Sequence, residues 1–157
     1  MLSPDLFRSA LARFPTGVTV VTARDSAGRD HGMTVSAFSA LSLVPPLVLI
    51  CVERTARLHG LLAHASFFAV NVLAEHQEPV SRRFAEVEEG RFDGLAVARG
   101  LTGCALLEGT VAAYECALRD HHPGGDHTIY VGEVLAVDVR DGVPLVHHLG
   151  EYTRTGR

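Results

Sequence analysis

Three groups of residues in this chain have the types and spacing to do chemistry. The segment Gly32-Met33-Thr34-Val35-Ser36-Ala37-Phe38 carries two small hydroxyls at alternate positions of a stretch that reads as a strand. On a strand, Thr34, Ser36 and Phe38 share one face, and Met33, Val35 and Ala37 the other. Such a face can offer hydroxyls and backbone groups to a flat ligand with a polar edge; it also suits a solvated edge strand. The second group, Glu53-Arg54-Thr55-Ala56-Arg57, follows the apolar run 47–52 and opens a helix that Thr55 can cap. Amides at a helix start, with Thr and Arg, can hold a phosphate, or simply cap a helix whose arginines face water. Ser81-Arg82-Arg83 repeats the pairing of hydroxyl and guanidinium. The third group is Gly125-Asp126-His127-Thr128, where Asp126 can orient the His127 ring and leave its other edge for a ligand. It also reads as a turn closed by Asp126.

Other chemistries lack their residues. His121 and His122 lie close to His127, but the spacing matches no zinc pattern and no metal is expected. There is no G-x-G-x-x-G, no Walker loop and no G-x-S-x-G. Cys51, Cys104 and Cys116 form no C-x-x-C and sit in apolar surroundings, as buried free thiols of a reducing compartment do. The formal net charge is −4, with 14 basic and 18 acidic residues, so no nucleic-acid partner is expected. Every basic residue is Arg. No signal peptide is visible and no apolar run reaches a membrane span, so the expectation is a cytoplasmic protein without a membrane partner.

Positioning these groups requires a β-rich scaffold. Ser3-Pro4-Asp5 starts a helix that carries Leu6, Phe7, Ala10, Leu11 and Phe14 at helical spacing, and Pro15 and Gly17 stop it. Strands are expected over 18–22, 32–37, 47–52, 67–73, 110–119, 128–139 and 144–149. Short helices are expected after Thr55, with Leu58, Leu61, Leu62 and Ala65 on one face, and over 79–84. Residues 86–105 read mostly as loop, and 121–126 as the connection of a hairpin. Strands outnumber helices and turns separate them, which implies an antiparallel barrel or sandwich rather than a parallel doubly wound sheet. At 157 residues, with no linker or repeat, the chain is expected to form one domain over 1–157.

Taken in order, these segments resemble the short-chain flavin reductase family, the reductase components of two-component flavin monooxygenases. The resemblance runs through Phe14-Pro15-Thr16-Gly17-Val18-Thr19-Val20, the Thr34-Val35-Ser36 segment with Pro45-Pro46, Phe68-Ala69-Val70-Asn71-Val72-Leu73, Ser81-Arg82-Arg83-Phe84-Ala85, Leu107-Glu108-Gly109 and Gly125-Asp126-His127. It implies a mainly β fold with a few helices, an antiparallel split β-barrel that binds FMN or FAD. It also implies a homodimer, NADH or NADPH as electron donor, and reduced flavin passed to a separate monooxygenase. Carried over by residue, Met33, Thr34, Val35 and Ser36 would meet the isoalloxazine edge, and Cys51 and Val52 would line the flavin site. Arg54, Thr55, Arg57, Ser81 and Arg82 would serve the ribityl phosphate, and Phe84 would pack nearby. His127 would sit where the nicotinamide stacks, held by Asp126. The chain departs from the family pattern at Ala105, at His147-His148 and at Glu151, which bears on the role of the tail. The same scaffold also suits a non-catalytic flavin or haem binder, or an FMN-bound reductase of another acceptor such as a corrinoid.

Overall fold

The structure, a computed structural model, describes residues 1–156. Its strands in chain order are β1 (Thr16–Gly17), β2 (Thr19–Arg24), β3 (Asp30–Val35), β4 (Phe38–Ser42), β5 (Leu47–Glu53), β6 (Phe67–Val72), β7 (Val97–Arg99), β8 (Ala105–Leu107), β9 (Ala112–Gly124), β10 (His127–Val139), β11 (Leu145–His148) and β12 (Glu151–Arg154). Helix α1 (Pro4–Leu11) precedes them, and α2 (Arg57–Leu62) and α3 (Glu78–Glu86) lie between them, with a 3-10 turn at Glu75–Gln77. The fold is mainly β, and every ladder among the described residues is antiparallel.

The main sheet runs β3-β2-β6-β9-β10-β5-β4. Its two outermost strands are neighbours in sequence, joined only by residues 36–37. Seven flat strands would hold their edges about 29 Å apart, whereas the three Cα steps from Val35 to Phe38 span at most about 11 Å. The sheet is therefore strongly curved, although no ladder joins β3 to β4 among the described residues.

Alternation along the strands divides the core. Val21, Val35, Ile50, Val52, Phe68 and Tyr130 pack with Leu58 and Leu62 of α2 on one face. Val18, Val20, Leu73, Leu107 and Leu145 pack with Phe84 of α3 on the other. Val20 and Val21 fall in different clusters because successive side chains point to opposite faces. Asn71, fully buried, donates to the Val20 carbonyl at 3.0 Å and accepts from the Leu107 amide at 2.8 Å, which ties β8 to the sheet. Cys104 and Cys116 are buried free thiols and Cys51 is partly buried. Burial pushes the Cys116 thiol up to about 12.

Several expectations need correction. The strand expected over 32–37 spans Asp30–Val35, and Phe38 begins the next strand, so Thr34, Ser36 and Phe38 do not share one strand face. The Phe38 amide donates to the Ser36 carbonyl at 2.9 Å, a bend that breaks the ladder there. Ala56, not Thr55, holds the N-cap position of α2, and no side chain caps it. The hairpin connection is not 121–126. The ladder continues to Gly124↔His127, leaving a tight turn of Gly125, at φ +66°, and Asp126. Within 86–105 a short β7–β8 ribbon forms from residue 97, and β12 extends the tail beyond the last strand expected. The Ser3 cap is present, with its hydroxyl accepting the Leu6 amide at 3.1 Å. The apolar face of α1 (Leu6, Phe7, Leu11) is exposed. Among the described residues, no helix is long and apolar enough to cross a membrane.

Candidate functional site

β3 is an edge strand, bonded only to β2. The Leu73 amide bonds the Val18 carbonyl, so the even residues of β2 face β6 and its odd residues face β3. Thr19, Val21 and Ala23 lie opposite Val35, Met33 and His31, which complete that ladder. Asp30, Gly32 and Thr34 therefore direct their N–H and C=O groups away from the sheet. That outward edge forms one wall of a cleft of about 800 Å³. The other walls are the start of α2 at Ala56-Arg57-Leu58, the end of α3 at Phe84-Ala85, and residues 88–93. Phe84 and Phe92 meet edge to face at 5.0 Å beneath it. A Cβ at Gly32 would lie 2.7 Å from Phe84 and 3.1 Å from Phe92, so only glycine admits this packing.

The cleft carries charges of both signs: the guanidiniums of Arg29, Arg57 and Arg91 share its lining with the carboxylates of Asp30, Glu88, Glu89 and Asp93. Arg91 donates to the Gly32 carbonyl at 2.7 Å and to the Val87 carbonyl, and Arg57 donates to the Glu88 carbonyl at 3.5 Å. Neither guanidinium forms an ion pair among the described residues. Burial and the Arg57 charge push the Arg91 pKa below its ordinary value, partly offset by Glu88. The half-buried Arg91 and the exposed Arg57 thus reach the cleft with carbonyl oxygens as their hydrogen-bond partners, which leaves N–H groups that an anion can take up.

Of the residues singled out in sequence, Met33, Thr34, Arg57 and Phe84 line this cleft. The Thr34 hydroxyl donates to the Ser81 carbonyl at 2.6 Å, which fixes β3 on α3 and leaves the oxygen free to accept. Ser36 is exposed in the bend beyond β3, and the Val35 side chain lies in the core. Ser81 and Arg82 do not line the cleft. The buried Ser81 hydroxyl lies 2.8 Å from that of Tyr152. Arg82 pairs with Glu78 at 2.9 Å and lies over the Tyr152 ring at 5.0 Å. Val52 is fully buried, so its side chain lines no site. Arg91 was not foreseen in sequence: it stands alone in an acidic, aperiodic stretch, with Gly90-Arg91-Phe92 as its only signal.

A second group gathers where β5 ends and the β9–β10 turn begins. β10 sets Cys51 opposite Ile129 and Glu53 opposite His127. The Cys51 amide donates to the Ala37 carbonyl at 3.0 Å, and the Arg54 amide to the Asp126 carbonyl at 2.9 Å. His127 Nδ1 lies 2.7 Å from Asp126 Oδ1, with the ring half exposed. That bond and the nearby His127 and Arg54 charges lower the Asp126 pKa. Beside them, His59 Nε2 lies 2.8 Å from the Thr128 hydroxyl. Thr55 follows at the approach to α2. Among the described residues, no cluster of three or more His, Cys, Asp or Glu could hold a metal ion.

An antiparallel, strongly curved sheet with a backbone-lined cleft at its edge defines a class of ligand-binding β proteins, and the comparisons specify which one. Residues 11–156 match the flavin reductase like domain, and the chain belongs to this family. It is 42% identical over 151 residues to the reductase component of 4-hydroxyphenylacetate 3-monooxygenase from Thermus thermophilus, covering 96% of this chain and 95% of that protein. It is 43% identical over 136 residues to the stachydrine N-demethylase reductase subunit Stc3 of Rhizobium meliloti, covering 87% of this chain but only 59% of that protein's length. The solved NADH:FAD oxidoreductase SgcE6 of Streptomyces globisporus, in complex with NAD and FAD fragments, superposes with a TM-score of 0.93 at 38% identity, over 99% of this chain and 96% of that one.

Proposed function

We propose that this protein is an NAD(P)H:flavin oxidoreductase that reduces FMN or FAD and passes reduced flavin to a separate monooxygenase. One observation carries the reading: two guanidiniums without carboxylate partners, Arg57 and Arg91, sit beside an outward-facing backbone edge in a cleft of about 800 Å³. The donor set fits a flavin. The outward N–H groups of Gly32 and Thr34 and the Thr34 C=O, with the Thr34 hydroxyl as acceptor, match a polar ring edge; the Gly32 C=O is already engaged by Arg91. The guanidiniums match an anionic tail, so that of the residues expected at the phosphate (Arg54, Thr55, Arg57, Ser81 and Arg82) Arg57 is kept in this reading, with Arg91 added. When bound, flavin and nicotinamide supply hydride-transfer chemistry that is their own.

The work left to this chain is positioning and charge. Met33 and Thr34 orient the ring, the outward amides stabilise negative charge at its edge, and the loop 88–93 limits access of water. Asp126 holds the His127 imidazole so that its open side bounds the nicotinamide place, with Cys51 and Arg54 nearby. No general acid or base is needed. We further infer that the curved sheet is one unit of a split barrel, and that the chain works as a single domain in a cytoplasmic homodimer. The uncovered face of α1 and the free edge of β4 support the dimer.

The test is NADH and NADPH oxidation by purified protein with FMN, FAD or riboflavin added. Oxidation that requires flavin is expected. No flavin-dependent oxidation with either nucleotide overturns the assignment, and a bound flavin that NADH fails to bleach would favour a carrier.

A further inference from the structure

The chain between α3 and β7, residues 87–96, has neither helix nor strand, yet it carries the Arg91 guanidinium to one place in the cleft. Two consecutive residues of α3 hold three consecutive residues of that segment. Arg83 Nη1 donates to the Arg91 carbonyl at 3.5 Å and to the Asp93 carbonyl at 2.5 Å. Phe84 meets Phe92 edge to face, with ring centroids 5.0 Å apart. The segment also closes on itself: the Asp93 amide donates to the carbonyl of Gly90 at 3.1 Å, with Gly90 at φ +70°. Held in this way, Arg91 reaches across to the Gly32 carbonyl at 2.7 Å. Arg83 lies in the last turn of α3, where a positive charge suits the helix end. It is not part of the cleft lining, although its neighbours Phe84 and Ala85 are.

Resting on the flavin reading above, we infer that Arg83 is a positioning residue: it fixes the backbone at residues 91 and 93 so that the Arg91 guanidinium meets the anionic tail of a flavin, and it touches no ligand itself. Without that grip, the segment keeps only the ring contact of Phe92 and its own turn, and the ligand has to order Arg91 as it binds. Ordering one long side chain on binding costs about three- to tenfold in affinity. The loss falls on the phosphate and spares the ring edge, because Gly32 and Thr34 are held independently, by β2 and by the Ser81 carbonyl. A purely structural role for Arg83 would weaken every ligand of the cleft alike. Both bonds leave from one nitrogen, so a lysine ammonium, with three donors on a flexible stem, can replace them. Methionine keeps an apolar stem and removes both bonds.

Riboflavin has the ring without the phosphate and FMN adds it, so the pair separates the two roles. Titration of the whole protein with both, read by flavin fluorescence on the folded fraction, tests the inference. In Arg83→Met, FMN affinity should fall about three- to tenfold while riboflavin affinity holds. In Arg83→Lys, FMN affinity should return close to that of the unchanged protein. In the Arg91→Ala background, Arg83→Met should add no further loss, because it acts through Arg91. An equal loss of riboflavin and FMN in Arg83→Met, or a further loss of FMN on top of Arg91→Ala, overturns the positioning role and leaves the flavin reading standing. If Arg83→Met does not fold, Arg83→Lys decides: a fall in FMN affinity that riboflavin shares overturns the role as well. Failure of the unchanged protein to bind either flavin overturns both.

Discussion

The cleft along β3 and the turn at the end of the β9–β10 hairpin handle charge in opposite ways. At the turn, Asp126 and His127 are adjacent in sequence, 2.7 Å apart, and placed by the ladders that bind β10 to β5 and β9. Their hydrogen bond holds the imidazole and leaves it as a surface rather than a pole. In the cleft, Arg57 and Arg91 come from a helix start and an irregular loop, far apart in sequence, and each finds only carbonyl oxygens. A partnered group is set up to shape and stack. Guanidiniums whose hydrogen bonds go to carbonyl oxygens keep N–H groups to spare, and so are set up to bind an anion.

The largest effect that could break this contrast is in the cleft. Arg57→Ala and Arg91→Ala should each weaken FMN and FAD binding about tenfold or more, and the double variant about a hundredfold or more, since charge-assisted hydrogen bonds contribute about 1.5–3 kcal/mol each. The double variant also loses the hydrogen bonds to the Gly32, Val87 and Glu88 carbonyls, so flavin affinity is read on the folded fraction. Unaltered flavin affinity in both single variants would end the anion-site assignment.

Glycine substitutions sharpen the contrast. A Cβ at Gly132, on β10, would lie 2.5 Å from Phe68 and 2.9 Å from Cys116 Cβ. Gly132→Ala should therefore cost about 1–3 kcal/mol in urea denaturation without changing flavin affinity in the folded fraction. Gly32→Ala should cost a similar amount and also weaken flavin, because Phe84 and Phe92 floor the cleft. Equal flavin affinities in the two variants would contradict that division.

At the turn, His127→Ala should raise the apparent NADH KM about tenfold and move flavin affinity much less. An unchanged KM removes His127 from the nicotinamide place.

The smallest effect is one of pH. The Cys116 thiol, pushed up to about 12, stays protonated in the folded chain while the unfolded thiol ionises from about 9. The folded state then binds more protons, so stability falls as pH rises above about 9, by less than about 1.4 kcal/mol per unit. Cys116→Ala should flatten that slope in denaturation curves measured on either side of pH 9.

How far the sequence disclosed these two regions follows from what periodicity can encode. The β-branched run of β2 and the apolar run of β5 announce themselves, and the Asp126–His127 bond spans one residue. The turn beside them was misjudged because His121, His122, Pro123 and Gly124 are of loop-favouring types, yet pairing with His127 to Tyr130 keeps them extended. The cleft was half legible. Met33, Thr34 and Arg57 sit at the ends of regular elements, but Arg91 lies in a stretch with no period. The hydrogen bond from Thr34 to Ser81 joins residues 47 apart. The family resemblance implies Val52 at a site wall; its place in β5 puts the side chain in the core.

The outward edge of β3 has one more consequence, for inheritance. Side chains are what substitution exchanges; the amides of Gly32 and Thr34 remain whatever residue stands there, proline excepted. At Thr34 the wall can therefore change its side chain without losing its backbone donor. The parts of this site most exposed to mutational loss are instead Gly32, where Phe84 and Phe92 leave no room for a side chain, and the two guanidiniums, which no backbone can replace.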